Sequence, residues 1–120
     1  MRPKIVETKF GSITVDGKIY HHDIIIKLNG KIEKRKSNLS RAVYGTSHIV
    51  SLDEAKEIYD KGACCLIVGS GQFGQLKLSE DAIRFFREQQ CEIKIKPTPN
   101  AIEEWNTYSE KVIGLFHVTC

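Results

Sequence analysis

Between Cys64 and Gly74 the chain reads Cys-Cys-Leu-Ile-Val-Gly-Ser-Gly-Gln-Phe-Gly, an apolar run of strand length that breaks into three glycines at Gly69, Gly71 and Gly74. Helical patterns flank the run on both sides. A strand so flanked is covered on both faces, which places this segment at the centre of a sheet and makes the fold α/β. Cys64 and Cys65 are neighbours in that buried strand and point to opposite faces.

Before this run the pattern is different. Residues 4–28 alternate in the manner of half-buried strands, with Ile5, Phe10, Ile13 and Val15 leading to Asp16-Gly17, a strong hairpin signal, and then to Ile19-Tyr20 and Asp23 to Leu28. A second turn at Asn29-Gly30 returns the chain through Lys31 to Lys36. Residues 1–36 are therefore β-rich hairpins. Residues 37–50 have no clean period and read as an irregular loop, the kind of segment where sites gather. From 51 to 120, helices and strands alternate. Ser51-Leu-Asp-Glu54 is a capping box, opening a helix that buries Leu52, Ala55, Ile58 and Tyr59 and stops at Gly62. Ser79 caps a second helix, with Ala82, Ile83 and Phe86 inward. Cys91 to Lys96 alternates as a strand near the sheet edge. Thr98-Pro99 starts a third helix, with threonine as cap, that buries Ala101, Ile102, Trp105 and Tyr108. Val112 to Phe116 is a last buried strand. The expectation is one domain over residues 1–120, a three-layer α/β arrangement of three helices and a sheet with an additional N-terminal antiparallel β layer.

Charged residues make up 28% of the chain and apolar ones 41%, which fits a globular protein. No apolar run is long enough to cross a bilayer, and Met1-Arg2-Pro3-Lys4 leads into alternation rather than a leader's apolar stretch, so a cytoplasmic location is expected. Cys64, Cys65, Cys91 and Cys120 read as reduced apolar fillers. The net charge of +3 divides into +6 over residues 1–41 and −3 over residues 42–120. The basic residues of the first third occupy the polar positions of alternating strands, so they form a solvated sheet face and do not call for a nucleic-acid partner.

The Gly-x-Gly-x-x-Gly spacing invites a dinucleotide reading. Against it, the next helix starts only at Ser79, the following strand ends in Lys96-Pro97 rather than an acidic residue, and the chain has no room for a second half to clasp a dinucleotide. A smaller site remains open. The loop Gly69, Ser70, Gly71, Gln72 and Gly74, together with the helix starts at Ser79 and Thr98, falls at strand ends where free amides hold small anions, with Lys96 or Lys77 as counter-charge and His48 presented from the irregular loop. His21-His22-Asp23 looks like a metal cluster, but its histidines face opposite ways in a strand and no further ligands stand at metal spacing, so no metal and no cofactor are assigned. His117 and Cys120 form a thiolate pair if the end of the chain folds back, a redox alternative.

Gly45-Thr46-Ser47-His48, Leu66-Ile-Val-Gly-Ser-Gly71, Thr98-Pro-Asn-Ala101 with Asn106, and Gly114-Leu-Phe-His-Val-Thr-Cys120 occur in that order. Together they resemble a family of small uncharacterised archaeal and bacterial proteins whose animal relatives include an adipogenesis-associated protein and a mitochondrial complex I assembly factor. The resemblance spans essentially the whole chain and implies a central mixed five-stranded sheet with an extra β layer. It supplies no catalytic residues. It implies a non-enzymatic protein-binding or assembly module, with the Ile-Arg-Phe-Phe face of the second helix and the N-terminal sheet as partner surfaces. An exposed sheet edge adds the expectation of a homodimer. The rival is a small-anion or nucleotide-fragment site, and with it an enzyme, at the glycine loop.

Overall fold

The computed structural model describes residues 2–120. Three short strands, β1 (Ile5–Lys9), β2 (Ser12–Val15) and β3 (Lys18–Tyr20), form an antiparallel sheet of their own. Asp16 and Gly17 both take positive φ, 49° and 83°, the type I′ geometry whose twist suits the β2–β3 hairpin. Two more strands, β4 (Ile24–Ile26) and β5 (Ile32–Lys34), enter the main sheet. After α1 (Asn38–Tyr44), β6 (Ile49–Val50) and α2 (Leu52–Ile58) come β7 (Cys65–Ser70), β8 (Lys77–Leu78), α3 (Glu80–Glu88), β9 (Glu92–Lys96), α4 (Thr98–Thr107) and β10 (Val112–His117).

The main sheet has the order β5-β4-β10-β7-β9. Strands β10, β7 and β9 run parallel, while β4 is antiparallel to β10 and β5 to β4, so the five-stranded sheet is mixed. Alternation along the strands sorts side chains into two cores. Leu66, Val68, Ile113, Leu115 and Ile25 face α2 and α3, meeting Ala55, Ile58, Ala82 and Phe86. On the other face Cys65, Ile67, Phe116, Ile24 and Ile26 meet Ala101 and Trp105 of α4 and Ile5, Ile13 and Val15 of the small sheet. The pair α2 and α3, the main sheet, and α4 with the small sheet make three layers.

Several details differ from the sequence pattern. Residues 37–50 are not irregular throughout: they hold α1 and β6, so the described residues carry four helices rather than three. Helix α1 buries only Ser40, and its N-cap Ser37 makes no side-chain cap bond, so no apolar period announces it. The apolar run Cys65–Ser70 is interior, but β10 takes the middle of the sheet. Cys64 lies outside the strand and is exposed. Helix α2 has its C-cap at Tyr59, whose backbone turns extended before Gly62 is reached.

Candidate functional site

The parallel strands β7 and β10 end side by side, with His117 paired to Ser70 and Phe116 to Gly69. Most of the residues that the sequence marks as site-like converge there. Thr98 is fully buried, and its hydroxyl accepts from the Gly71 amide at 2.9 Å and donates to the His117 carbonyl at 2.6 Å. It therefore stitches α4 to both strand ends rather than capping the helix, whose N-cap is Pro97 with no side-chain bond. A Cβ on Gly69 would stand 2.8 Å from both the Thr98 hydroxyl and the Phe116 ring, so the glycine is what admits this close approach.

The glycine loop closes on the chain itself. Gly71 donates to Thr98, Gln72 to the carbonyl of Thr119 at 2.6 Å, Phe73 and Gln75 to the carbonyl of Cys120 at 3.1 and 3.0 Å, and Gly74 to that of Gly71. Residues 118–120 thus fill the place at the strand ends where an α/β sheet usually receives a ligand. Ser70 is buried; of the suggested counter-charges, Lys96 pairs with Glu104 at 2.9 Å and Lys77 is exposed.

Beneath the loop lies a buried ionic knot. His117 is 3% exposed; its Nδ1 sits 2.7 Å from Asp23 Oδ2 and its Nε2 sits 3.3 Å from the Thr119 hydroxyl. Both ring nitrogens are thus engaged by residues other than Cys120. The half-buried His48 ring stands edge-on to His117, centroids 5.4 Å apart. Asp23 also accepts from the Val118 amide at 2.8 Å and from Arg35 at 2.9 Å. Arg35, itself buried, reaches Glu54 with two nitrogens, one at 3.0 Å, and the Ser47 carbonyl at 2.6 Å. Glu54 accepts from the Ser40 hydroxyl as well, while Ser51 accepts from the Glu54 amide at 3.2 Å. The expected capping box is half formed: Ser51 caps, but the Glu54 carboxylate serves Arg35 and Ser40 instead of turning back. Burial pulls Asp23 toward its neutral form, yet the hydrogen bond and charge of His117, the Val118 amide and Arg35 outweigh it and hold its pKa below the usual carboxylate value. Burial likewise works against the Arg35 charge, and Glu54 and Asp23 overcome it.

Among the described residues, no buried side-chain nitrogen or oxygen lacks a partner. This end of the sheet is a closed, satisfied cluster that holds β4, β5, α2, α4 and β10 in register. Sequence reasoning missed the pairing of Arg35 with Glu54. Arg35 reads as an ordinary charged residue and Glu54 as half of a cap, and a contact between residues so far apart in the chain leaves no local pattern. His21 and His22 lie in a bend, not a strand, with His22 Nδ1 2.9 Å from the Asp23 carbonyl. Cys91 is buried, and burial first, with the nearby thiols Cys65 and Cys64, pushes its pKa up to about 12, so it stays a thiol.

At the surface of the same end, two aromatic rings stand out. Phe10, in the β1–β2 turn, is 61% exposed and Phe73, in the glycine loop, 71%; their centroids are 6.2 Å apart. Gly11 donates to the Val118 carbonyl at 2.7 Å and the Gln72 side-chain amide to the Thr8 hydroxyl at 3.1 Å, fixing turn and loop together. By contrast, the Ile-Arg-Phe-Phe stretch of α3 turns its apolar side inward: Phe86 is fully buried, and Ile83 and Phe85 pack against the core.

Comparison with known proteins places this architecture. A family model described as a protein of unknown function (DUF498/DUF598) matches residues 5–117. A conserved hypothetical protein from Pyrococcus horikoshii OT3 is 32% identical over 98% of this chain and 99% of its own, with a TM-score of 0.89. The structure named MT938 is 29% identical, with 98% and 99% covered and a TM-score of 0.84. A Mth938-like domain from Bordetella pertussis, at 15% identity and a TM-score of 0.64 over 97% of this chain and 85% of its own, shares the fold. The family match runs from the first residue of β1 to the last of β10, through both larger sheets and all four helices, and the chain therefore belongs to the DUF498/DUF598 family.

Proposed function

We propose that the protein is a binding module that works through protein contacts, of the kind that serves complex assembly, and that it engages its partner through the Phe10–Phe73 pair and the outer face of the small sheet. The observation that carries this reading is the pair itself: two large aromatic side chains, each more than half exposed, on turns tied by main-chain bonds to residues 118–120. Pre-ordered aromatic side chains are the usual anchors of protein interfaces, because little conformational entropy remains to be lost on docking. Ile19 and Val6 add exposed apolar surface on strands β3 and β1. The resemblance to relatives that act in assembly supports the same reading. Four free cysteines suit a reducing compartment, which supports a cytoplasmic setting. No helix among the described residues is long and apolar enough to cross a membrane.

Affinity capture on the wild-type protein, set beside capture on the Phe10→Asp and Phe73→Asp variants, tests this. Both sites are exposed, so the variants keep the fold, checked by circular dichroism. A specific partner held by the wild type and lost from both variants is expected; capture that both retain overturns the assignment. The rival reading, a small-anion site at the glycine loop, makes a local demand: phosphate would shift the amide resonances of Gly71 to Gln75. With those donors already engaged within the chain, they are expected to stay in place.

A further inference from the structure

At the opposite end of the sheet, where β7 and β10 begin and β4 ends, lies a cleft of about 330 Å³ bordered by Leu28, Gly62 and Val112. Four cations line it, Arg2, Lys27, Lys61 and Lys111, against a single acid, Glu110. Lys31, Arg35, Lys36, Arg84 and Lys96 stand in ion pairs with carboxylates, while other surface cations such as Lys4, Lys9, Lys18 and Lys94 do not. Among the described residues, none of the cleft's four cations stands in such a pair. Two of them are fixed by main-chain carbonyls, and the charge of Lys27 also acts on the nearby Glu57 carboxylate, whose pKa it helps Lys36 to lower. Arg2 donates to the Trp105 carbonyl at 2.8 Å and to that of Glu110 at 3.3 Å, with its guanidinium 5.6 Å from the Trp105 ring centroid. Lys27 donates to the carbonyls of Glu57 at 2.6 Å and Ile58 at 3.3 Å. Arg2 and Lys27 each keep further N–H donors, and the exposed Lys61 and Lys111 complete the ring.

We propose that this cleft is a binding site for a small, multiply charged oligophosphate of the pyrophosphate or tripolyphosphate type. Four like charges gathered on one cleft repel one another, and an anion with several charges relieves that repulsion where a monocarboxylate does not. A guanidinium fork beside ammonium point charges is the donor set that phosphate oxygens take. The cleft's size suits a short chain of phosphates. Its cations converge on one hollow instead of forming the stripe that tracks a nucleic-acid backbone. The site is separate from the aromatic pair, which lies at the other end of β7 and β10, so either assignment stands if the other fails.

Trp105 is the chain's single tryptophan and carries Arg2 against its ring, so its emission reports on the cleft. Titration with tripolyphosphate at fixed ionic strength is expected to give a saturable emission change and a concentration-dependent rise in the thermal midpoint. The double variant Lys61→Glu, Lys111→Glu, changed only at exposed positions, is expected to bind about tenfold more weakly or worse, an effect of one charge-assisted contact or more. Lys9→Glu, on the small sheet, and Phe73→Asp are expected to bind as the wild type does. A response that never saturates, an equal response to chloride at matched ionic strength, undiminished binding by the double variant, or tighter binding of a single-stranded RNA than of tripolyphosphate overturns the proposal.

Discussion

Asp23 shows how much one carboxylate can carry. It receives the His117 ring, the Val118 amide and Arg35 at once, and so ties the start of β4 to the end of β10 and to the residue that follows β5. Because its pKa in the folded state is depressed, its contribution to stability is present above the unfolded value of about 3.9 and is lost as pH falls through the lower folded value. Asp23→Asn is therefore expected to be less stable than the wild type near neutral pH. The gap should close on acidification below about pH 4, read as urea midpoints across the acid range. Arg35 is the more severe loss. Replacing it with methionine roughly keeps the volume but leaves Glu54 buried without its cation, a break expected to cost about 3–5 kcal/mol by denaturant unfolding. An Arg35→Met variant as stable as the wild type would show that the knot contributes no stability.

At the scale of elements, the decisive contact is between the glycine loop and residues 118–120. Gly71 sits at φ 103°, and a Cβ there would stand 2.6 Å from the Cys120 carbonyl oxygen and 2.7 Å from the His117 ring. The nearest obstacles include main chain, which has little room to yield. Gly71→Ala is expected to push residues 118–120 out of the loop, freeing the amides of Gln72, Phe73 and Gln75 and speeding labelling of the Cys120 thiol, measured in a Cys64→Ser background. Unchanged labelling would mean that the segment is held by something other than these bonds. The same contact explains how a loop that reads as rich in free amides comes to have them engaged. Gly69, Gly71 and Gly74 announce a bend with many donors, but the carbonyls that meet Gln72, Phe73 and Gln75 belong to Thr119 and Cys120, beyond the reach of any local pattern. Thr98 has the same history: its place before a proline reads as a cap, while its hydroxyl in fact spans two strands.

For the whole molecule, the order β5-β4-β10-β7-β9 leaves β4, β10 and β7 paired on both sides, and of these β10 and β7 are the long ones, six residues each against three in β4, and pack between the two cores. Amide exchange is expected to be slowest in these two long strands and faster in β9 and in the small sheet, because only global unfolding opens a long strand paired on both edges. If exchange were slowest in β1–β3 instead, the small sheet rather than the main one would be the last to open. The chain by itself determined the local elements: the alternating strands of the first third, the Asp16-Gly17 hairpin, the Ser51 and Ser79 caps and the buried strand through Leu66-Ile-Val68, since propensity, period and turn chemistry all act over a few residues. Only the tertiary structure decided that β10 takes the middle of the sheet, that α1 forms without an apolar stripe, that Glu54 faces Arg35, and that residues 118–120 occupy the glycine loop. Each of these depends on burial and on partners distant in sequence, and the free energy that settles them exists only once the layers have come together.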